Sequence, residues 1–414
     1  MKQTIHIGKK TVHIDIGFIL ILVLLCFTSC FALYNAFNLV KRGLGTNYLM
    51  KQILWYIVGF SSLTIMGSFP NKKLFEYVDL AYKVLMGTLI YLFISMILYR
   101  TIGHTLPFTS EINGAVSWFQ FKGIGSFQPS EFIKIVLIVQ VAKIITDYQL
   151  SHPDPSVKDD FFLLVEIAKK ALPPLILIFS QPDTGLCIII AFTILVLLMC
   201  SGIKREYIWI LFGTIAVILG IFFYMYFFHV DFLIDIFSAY RIQRIEAWLE
   251  PESHIRGSSN QLYTALLSLG SAGVSGYGLQ ANIISIPEAH TDFIFAAFGQ
   301  CFGLIGTSFI LIVCIILDLY LCKIAYNTRK QSDRLIVIGI IAMLFYQQFQ
   351  NLGMIVGLLP ITGITLPLIS YGGSSILSYF IAFGFIHNII PYTRKRKRPL
   401  KKESNQYRFF KRFK

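Results

Sequence analysis

The chain has 414 residues, 55% of them hydrophobic and only 14% charged, with a formal net charge of +14. A water-soluble domain carries roughly 25% charged residues. The composition therefore excludes a soluble enzyme that merely touches a membrane and indicates a surface that meets lipid. The seven cysteines, Cys26, Cys30, Cys187, Cys200, Cys301, Cys314 and Cys322, all sit in apolar runs without CxxC or Cys/His ligand spacing. That pattern argues against a disulfide framework and against a zinc site.

Windows of about 20 mostly apolar residues predict an all-α integral membrane protein of about ten spans, at 16–36, 52–69, 78–99, 129–146, 166–180, 185–201, 207–228, 292–322, 334–359 and 367–390. The first run is too long for a signal-peptide core and is expected to be retained as a span. The fifth and sixth are short and meet at the polar turn Ser180 to Gly185. The eighth is long enough to require a tilt or a bend.

Ten spans put both termini on one side. Loops on that side hold Lys72, Lys73, Lys158, Lys204, Arg205, Lys323, Arg329, Lys330 and Arg334, and this basic excess places both termini in the cytoplasm. Two long loops, near 100–128 and 229–291, then face outward, and loops of this length are usually functional. Residues 1–393 read as one polytopic domain. The tail 394–414 sets eleven Lys or Arg against one acid, Glu403, so it supplies most of the net charge. Such a cluster attracts anionic lipid headgroups at about 1 kcal/mol per basic residue. Nothing aromatic is arranged for base stacking, so nucleic acid is not an expected partner.

Five segments could carry chemistry. In Asn113 to Phe121, followed by Gly123 and Gly125, Trp118 is either an interfacial anchor or a flat face for a sugar ring or lipid neck. In Gln128 to Lys134 (QPSEFIK), Gln128 reads as N-cap, Pro129 as N1 and Glu131 as N3. Glu131 and Lys134 share a helix face. They are either a structural ion pair or the lining of a cavity for an anionic ligand. Asp183, in the SQPDTG turn, reads as a cap for the next helix or as a site residue. Pro287 to Phe293 (PEAHTDF) packs Glu288, His290 and Asp292 at the outer mouth of a helix. Asp292 there is either a cap or a catalytic carboxylate. Finally, the turn Leu359 to Gly363 precedes LPLISYGGSS, where Ser370, Gly372 and Gly373 permit close helix approach or a local break lining a cavity. HExxH and GxSxG are both absent, which leaves a metalloprotease and a serine hydrolase unsupported.

In this order and at these intervals the segments resemble the SEDS family (shape, elongation, division and sporulation), the RodA/FtsW-type peptidoglycan glycosyltransferases. The strings that carry the resemblance are QPSEF, QPDTG, PEAHTDFIF and LPITGITLPLISYGGSS, and it spans roughly Ile16 to Tyr392. QPDTG and GAVSWF lean toward the RodA-like, elongation-type branch. The resemblance implies ten membrane helices with cytoplasmic termini. It also implies polymerisation of lipid II into glycan strands at the outer face of the cytoplasmic membrane, in complex with a class B penicillin-binding protein. The family's essential aspartate falls on Asp292 and its outer-loop tryptophan on Trp118. Two positions depart from the family pattern. Gln300 stands where an acid is common after the aspartate, and the stretch Gly278 to Ile286 lacks a frequent lysine.

The chemistry so implied needs a base for a sugar hydroxyl and positive charge for a diphosphate leaving group. Asp292 is the expected base. Lys134, Arg241 and Arg244 are the expected diphosphate contacts, and Trp118, Glu131, Glu288, His290, Ser370, Gly372 and Gly373 complete the expected substrate-binding set. A divalent cation, magnesium or manganese, would suit this chemistry, although no protein ligands are assigned to one. Two other classes compete: a flippase or transporter of the lipid-linked precursor, and a non-catalytic scaffold for the transpeptidase. Ionisable groups clustered at the outer surface, not the midplane, favour the polymerase.

Overall fold

The structure is a computed structural model, and it describes residues 2–7, 10–40, 44–111, 115–121, 125–237, 239–253, 255, 259–390 and 393. The basic tail 394–414 lies outside the described residues, as do Asn113 and Gly123. An antiparallel hairpin, β1 (Lys2–Ile7) and β2 (Lys10–Asp15), leads into α1 (Ile16–Asn35), whose N-terminus is capped by Asp15 through the Gly17 N–H at 3.1 Å. Then come α2 (Leu44–Gly67), α3 (Asn71–Ile102), a second hairpin of β3 (Phe119–Phe121) and β4 (Gly125–Phe127), α4 (Pro129–Ser151), α5 (Val157–Ser180), α6 (Thr184–Met199) and α7 (Arg205–Phe228). Three shorter helices follow, α8 (Val230–Phe237), α9 (Ala239–Leu249) and α10 (Asn260–Ser271). The chain closes with α11 (Ile294–Asn327), α12 (Gln331–Ile355) and α13 (Gly373–Ile389). The all-α expectation is thus corrected by two small β-hairpins, and the loop expected at 229–291 contains α8 to α10.

By length and composition, six of the described helices can cross a membrane: α1, α2, α3, α7, α11 and α12. Helices α6 and α13 are apolar but shorter, at 16 and 17 residues. α12 is the most enclosed of the long helices, whereas α7 has no buried residue and exposes apolar side chains on every face. A helix apolar all round needs an apolar solvent.

Helix α11 bends as its length required, and the bend is a break. Gly303 adopts φ 57 and ψ −148 inside it. Interrupting a helix in an apolar setting orphans backbone groups that lipid cannot satisfy. Residues 273–278 supply the partners. Tyr277 and Gly278 N–H donate to the Gln300 and Cys301 carbonyls at 3.0 and 2.9 Å, and Leu304 and Ile305 N–H donate to the Gly273 and Val274 carbonyls at 3.0 and 3.1 Å. Gln300, fully buried, grips the next stretch: its Oε1 accepts from Ile283 and Ile284 N–H at 2.7 and 2.8 Å, and its Nε2 donates to the Ile284 carbonyl at 3.1 Å.

The approach to α13 is likewise irregular. The expected span 367–390 is helical only from Gly373. Before it, Tyr56 Oη donates to the Leu368 carbonyl, Ser29 Oγ to Ile369 at 2.8 Å and Gln52 Nε2 to Ser370 at 3.0 Å, while Gln52 Oε1 accepts from Gly372 N–H at 3.3 Å. Polar side chains of α1 and α2 therefore do for this segment what helical bonds would otherwise do.

At Gly303 a Cβ would lie 2.6 Å from the Gly273 carbonyl oxygen and the backbone would still need a left-handed φ. Gly303→Ala should therefore destabilise the fold by about 2 kcal/mol or more, read as a lowered midpoint of thermal unfolding in detergent. Gly87→Ala is the contrast, because nothing lies within 4 Å of its Cβ position in α3. It should be neutral or stabilising by about 0.5–1 kcal/mol.

Candidate functional site

A cavity of about 430 Å³ opens where α4, α6, α11 and α13 begin. The N-cap residues of three of them, Gln128, Asp183 and Gly372, line it, and Asp292 enters from two residues before α11. Helix N-termini carry positive partial charge. Their convergence, with Arg244, offsets part of the negative charge of the lining carboxyls Glu131, Asp183, Glu288 and Asp292.

Local sequence explains each placement. Pro129 starts α4 at N1, as the QPSEF string predicted, but Gln128 does not cap with its side chain; its Nε2 donates to Asp183 Oδ2 at 2.8 Å. Asp183 caps α6 through Oδ1 and the Leu186 N–H at 3.2 Å, as its capping reading expected, and it also lines the cavity. Burial pushes its carboxyl up to about 6, against the pull of the Leu186 N–H.

Glu131 lines the cavity, and Lys134 lies one layer behind it, both buried, with Nζ 2.6 Å from Glu131 Oε2. Ser378 Oγ donates to the same carboxylate oxygen at 3.4 Å. The Lys134 ammonium also sits 4.7 Å from the centre of the Tyr379 ring. Tyr379 is in turn held by Gln347 at 3.0 Å. Lys134 is thus committed to Glu131 and does not itself line the cavity.

Asp292 sits in a tight turn, where Thr291 and Phe293 N–H both donate to the Glu288 carbonyl at 3.1 and 3.2 Å. α11 is not capped by a side chain, and Asp292 precedes its N-cap Phe293. Asp292 thus stands outside the first turn of α11, and neighbouring groups set its charge. Burial pushes its carboxyl up to about 6, the neighbouring Glu288 charge adds to that, and Arg244 pulls it down. Asn351 Nδ2 fixes the turn by donating to the Asp292 and Ile364 carbonyls, both at 2.7 Å. Gly363, at φ 74, leaves the space between the key groups open: a Cβ there would meet Arg244 Nη1 and Asp292 Oδ2, each at 3.5 Å. Arg244 is carried by α9, which Trp248 Nε1 ties to the Gly357 carbonyl at 3.0 Å. Arg241 lies on the same helix, with its side chain outside the described residues.

The remaining expected residues divide. Trp118, Glu288, Gly372 and Gly373 line the cavity. Glu288 Oε2 accepts from Thr291 Oγ1 at 2.9 Å. His290 does not line the cavity; it stacks on Tyr48 at 4.4 Å between ring centres, and burial lowers its pKa while Glu288 opposes that shift. Ser370 stands behind the wall, where its Oγ donates to the Thr291 carbonyl at 2.7 Å and accepts from Leu366 N–H at 2.9 Å. It positions the wall and does not face the cavity. Gln300 also stands outside the lining, gripping residues 283 and 284, so the missing acid there leaves no gap in the cavity.

Sequence reading missed Trp55, Gln128 as a lining residue, Gly363 and Asn351. Trp55 lies in an ordinary apolar run of α2 and reaches the cavity because Gly373 lets it approach: a Cβ at Gly373 would stand 2.3 Å from the indole. Only Gly363 had a local signal, as the glycine of the LPITG turn. Among the described residues no group of three or more His, Cys, Asp or Glu side chains converges as a metal site.

Removing one partner of a buried ion pair costs about 3–5 kcal/mol, because the other charge is left uncompensated. Lys134→Met should lower unfolding stability by that amount. Glu131→Gln combined with Lys134→Met should recover most of it, as read by thermal unfolding of the purified protein.

The chain matches the FtsW/RodA/SpoVE family, described as cell cycle protein, over residues 13–395. It is 31% identical to the probable peptidoglycan glycosyltransferase FtsW of Bacillus subtilis over 94% of this chain and 93% of the relative. It is 30% identical to the peptidoglycan glycosyltransferase MrdB of Escherichia coli K12 over 92% of this chain and 96% of the relative. A chain from a study of structural coordination of polymerization and crosslinking by a peptidoglycan synthase complex superposes with a TM-score of 0.69, at 23% identity, over 91% of this chain and 97% of that one. The rod shape determining protein RodA of Thermus thermophilus superposes with a TM-score of 0.61, at 22% identity, over 92% and 98%. These two likenesses are likenesses of fold. The family match and the two near-full-length relatives make the chain a member of the FtsW/RodA/SpoVE family, the SEDS family its motifs resemble, and with its long apolar helices an integral membrane protein.

Proposed function

We propose that this protein is a peptidoglycan glycosyltransferase that polymerises lipid II into glycan strands, with Asp292 as the base. The observation that carries the site assignment is the convergence of Asp292, Arg244 and helix N-termini on one cavity. The activity is the one named for its relatives FtsW and MrdB.

The topology in this reading has ten spans, α1 to α7 and α11 to α13. Both termini are cytoplasmic, residues 1–393 form one membrane domain, and 394–414 form a basic tail on the inner surface. The cavity, at the helix ends beneath residues 103–128 and 229–291, then opens to the outer face of the cytoplasmic membrane. A cavity at helix ends suits surface chemistry on a lipid-anchored headgroup. A transporter would hold its substrate nearer the midplane.

The chemistry follows from placement. A sugar hydroxyl attacks the anomeric carbon of the lipid-linked sugar, Asp292 takes the hydroxyl proton, and the lipid diphosphate leaves. The diphosphate is already anionic, so it needs charge stabilisation more than protonation. Arg244 and the N-termini of α4, α6 and α13 provide it. Trp118, half-buried in the lining, offers a flat face to a sugar ring. The partner in this reading is a class B penicillin-binding protein, which cross-links the strands. It is in keeping with the fold likeness to a chain studied as part of a peptidoglycan synthase complex.

The test is polymerisation of lipid II by the purified chain, with and without that partner. Asp292→Asn should leave expression and partner binding intact and lower polymer formation by about 10²- to 10⁴-fold. Full activity in correctly folded Asp292→Asn protein would refute the base assignment. Trp118→Ala should lower polymerisation more than protein yield, with Trp118→Phe retaining more. Normal turnover by Trp118→Ala at every lipid II concentration would return Trp118 to a simple interfacial anchor.

The pH dependence has a definite sign. Asp292 acts as a base only when ionised, so the rate should fall as pH drops through about 6. Stability runs the other way. The folded state holds this proton more tightly than the unfolded chain, so the Asp292 contribution is lost as pH rises from the ordinary 3.8 through about 6. A pH–rate profile set beside a pH–stability profile checks both.

A further inference from the structure

Residues after α3 do not project away from the bundle. They fold back along the helix they have just left. Leu106 N–H donates to Ser95 Oγ at 3.0 Å, Ser95 Oγ and Thr109 Oγ1 share a hydrogen bond of 2.7 Å, and Tyr91 Oη donates to the Pro107 carbonyl at 3.0 Å. Thr109 then bridges to Phe119 at the start of β3, Gln120 N–H donates to the Phe108 carbonyl at 2.7 Å, and Phe119 stacks on Tyr91 at 5.6 Å.

This return brings two large apolar rings to the surface. Phe108 is 67% exposed and Phe121 39%, with their ring centres 5.9 Å apart, and neither lines the cavity. Phe108 is also held at φ 61, a left-handed conformation that a bulky residue rarely adopts. In water, both the strain and the exposure would be unfavourable.

The depth of the patch identifies its surroundings. Tyr91 and Ser95, which hold the returning loop, lie in the stretch of α3 between Lys83 and Arg100 that carries no charged residue, and such an apolar stretch of a membrane helix lies in hydrocarbon. The patch is therefore held against the membrane-embedded part of α3, towards the end at which the cavity opens. It continues the exposed apolar stripe of α3 formed by Ile90, Ile94 and Ile97, and a stripe of that kind on a membrane helix faces lipid.

We propose that residues 105–111 and 119–121 form an interfacial anchor, with Phe108 and Phe121 inserted into the lipid leaflet at the cavity end of the bundle. Its chemistry is that of an aromatic belt, built on a folded-back loop. Trp118, next in the chain to β3, turns into the cavity while Phe121 meets lipid. The other end of the hairpin is pinned to α13, with Gln128 N–H donating to Ser374 Oγ at 3.1 Å and Ser374 Oγ donating to the Ser126 carbonyl at 3.0 Å. The hairpin thus sets the height of Trp118 against the plane in which a lipid-anchored substrate arrives. The anchor itself does not depend on the reaction assigned to the cavity.

The test replaces Phe108, and separately Phe121, by p-benzoylphenylalanine in the full chain. Each protein is reconstituted in nanodiscs of phosphatidylethanolamine and phosphatidylglycerol, irradiated, and analysed by intact mass. Gln120, exposed between them on the strand, carries the same replacement as a control. We expect adducts of phospholipid mass at 108 and 121, several-fold above those at 120. Lipid adducts absent at both, or no higher than at 120, would overturn the proposal. So would a cross-link to a second polypeptide in intact cells in place of lipid, which would reassign the patch to a protein partner.

Discussion

The constraint on which the rest of this structure depends is that backbone polar groups inside an apolar bundle must find partners within the protein. Regular helices meet it automatically. This chain departs from helix at Gly303 and, next to the cavity, between Thr362 and Gly372. At Gly303 the segment 273–278 supplies two acceptors and two donors. Between 368 and 372, Ser29, Gln52 and Tyr56 from α1 and α2 do the same. Without those partners the breaks could not persist. The second break is what brings Gly363 and Gly372 to the cavity beside Asp292.

The charges in the site follow from the same enclosure. Glu131 and Lys134 are buried, and they neutralise one another within one helical turn, with Ser378 and Tyr379 completing their shell. Asp292 and Asp183 are treated differently. Each lines the cavity, lacks an ion-pair partner within salt-bridge distance among the described residues, and has its carboxyl pushed up to about 6. One pair is closed on itself, while burial raises the other two carboxyls where they line the cavity.

The elements around the cavity also differ in how firmly they are tied. α12 is enclosed and supplies Asn351, which fixes the Asp292 turn, and Gln347, which holds Tyr379. α9 brings Arg244 from the long loop and docks through Trp248. α7 has no fully buried residue and touches the core only through side chains near its start, Tyr207, Ile208 and Leu211. The cavity lining therefore comes from two sources, the helix ends of the bundle and the long loop, and Gly363 marks where they meet.

Much of this was legible in the sequence, because it rests on local rules. The apolar windows located every long helix, since burial in lipid demands about 20 apolar residues in a row wherever the helix packs. Pro129 at N1, Asp183 as a cap and the break ahead of Gly373 were readable from turn and cap chemistry. Asp292 and Trp118 were singled out by the motifs of a resembling family. The second β-hairpin was not readable, since three-residue strands such as Phe119–Phe121 carry too little pattern to distinguish them from loop; the first, with Ile5 and Ile7 alternating in one six-residue strand and Val12 and Ile14 in the other, has a pattern that 20-residue apolar windows do not register. Nor was the role of Trp55, Asn351 or Gln300, or the turning of Ser370 away from the cavity. These depend on contacts between residues far apart in the chain, such as Asn351 with Asp292, Gln52 with Ser370, and Trp55 with Gly373. The sequence by itself determined that the chain must live in lipid and roughly where its long helices run, with α2, α3, α5 and α13 starting six to nine residues from the expected positions. Only the tertiary structure decided which of its polar groups face the cavity and which hold the backbone in place, because that choice is made by whichever unsatisfied group packing brings within hydrogen-bond reach.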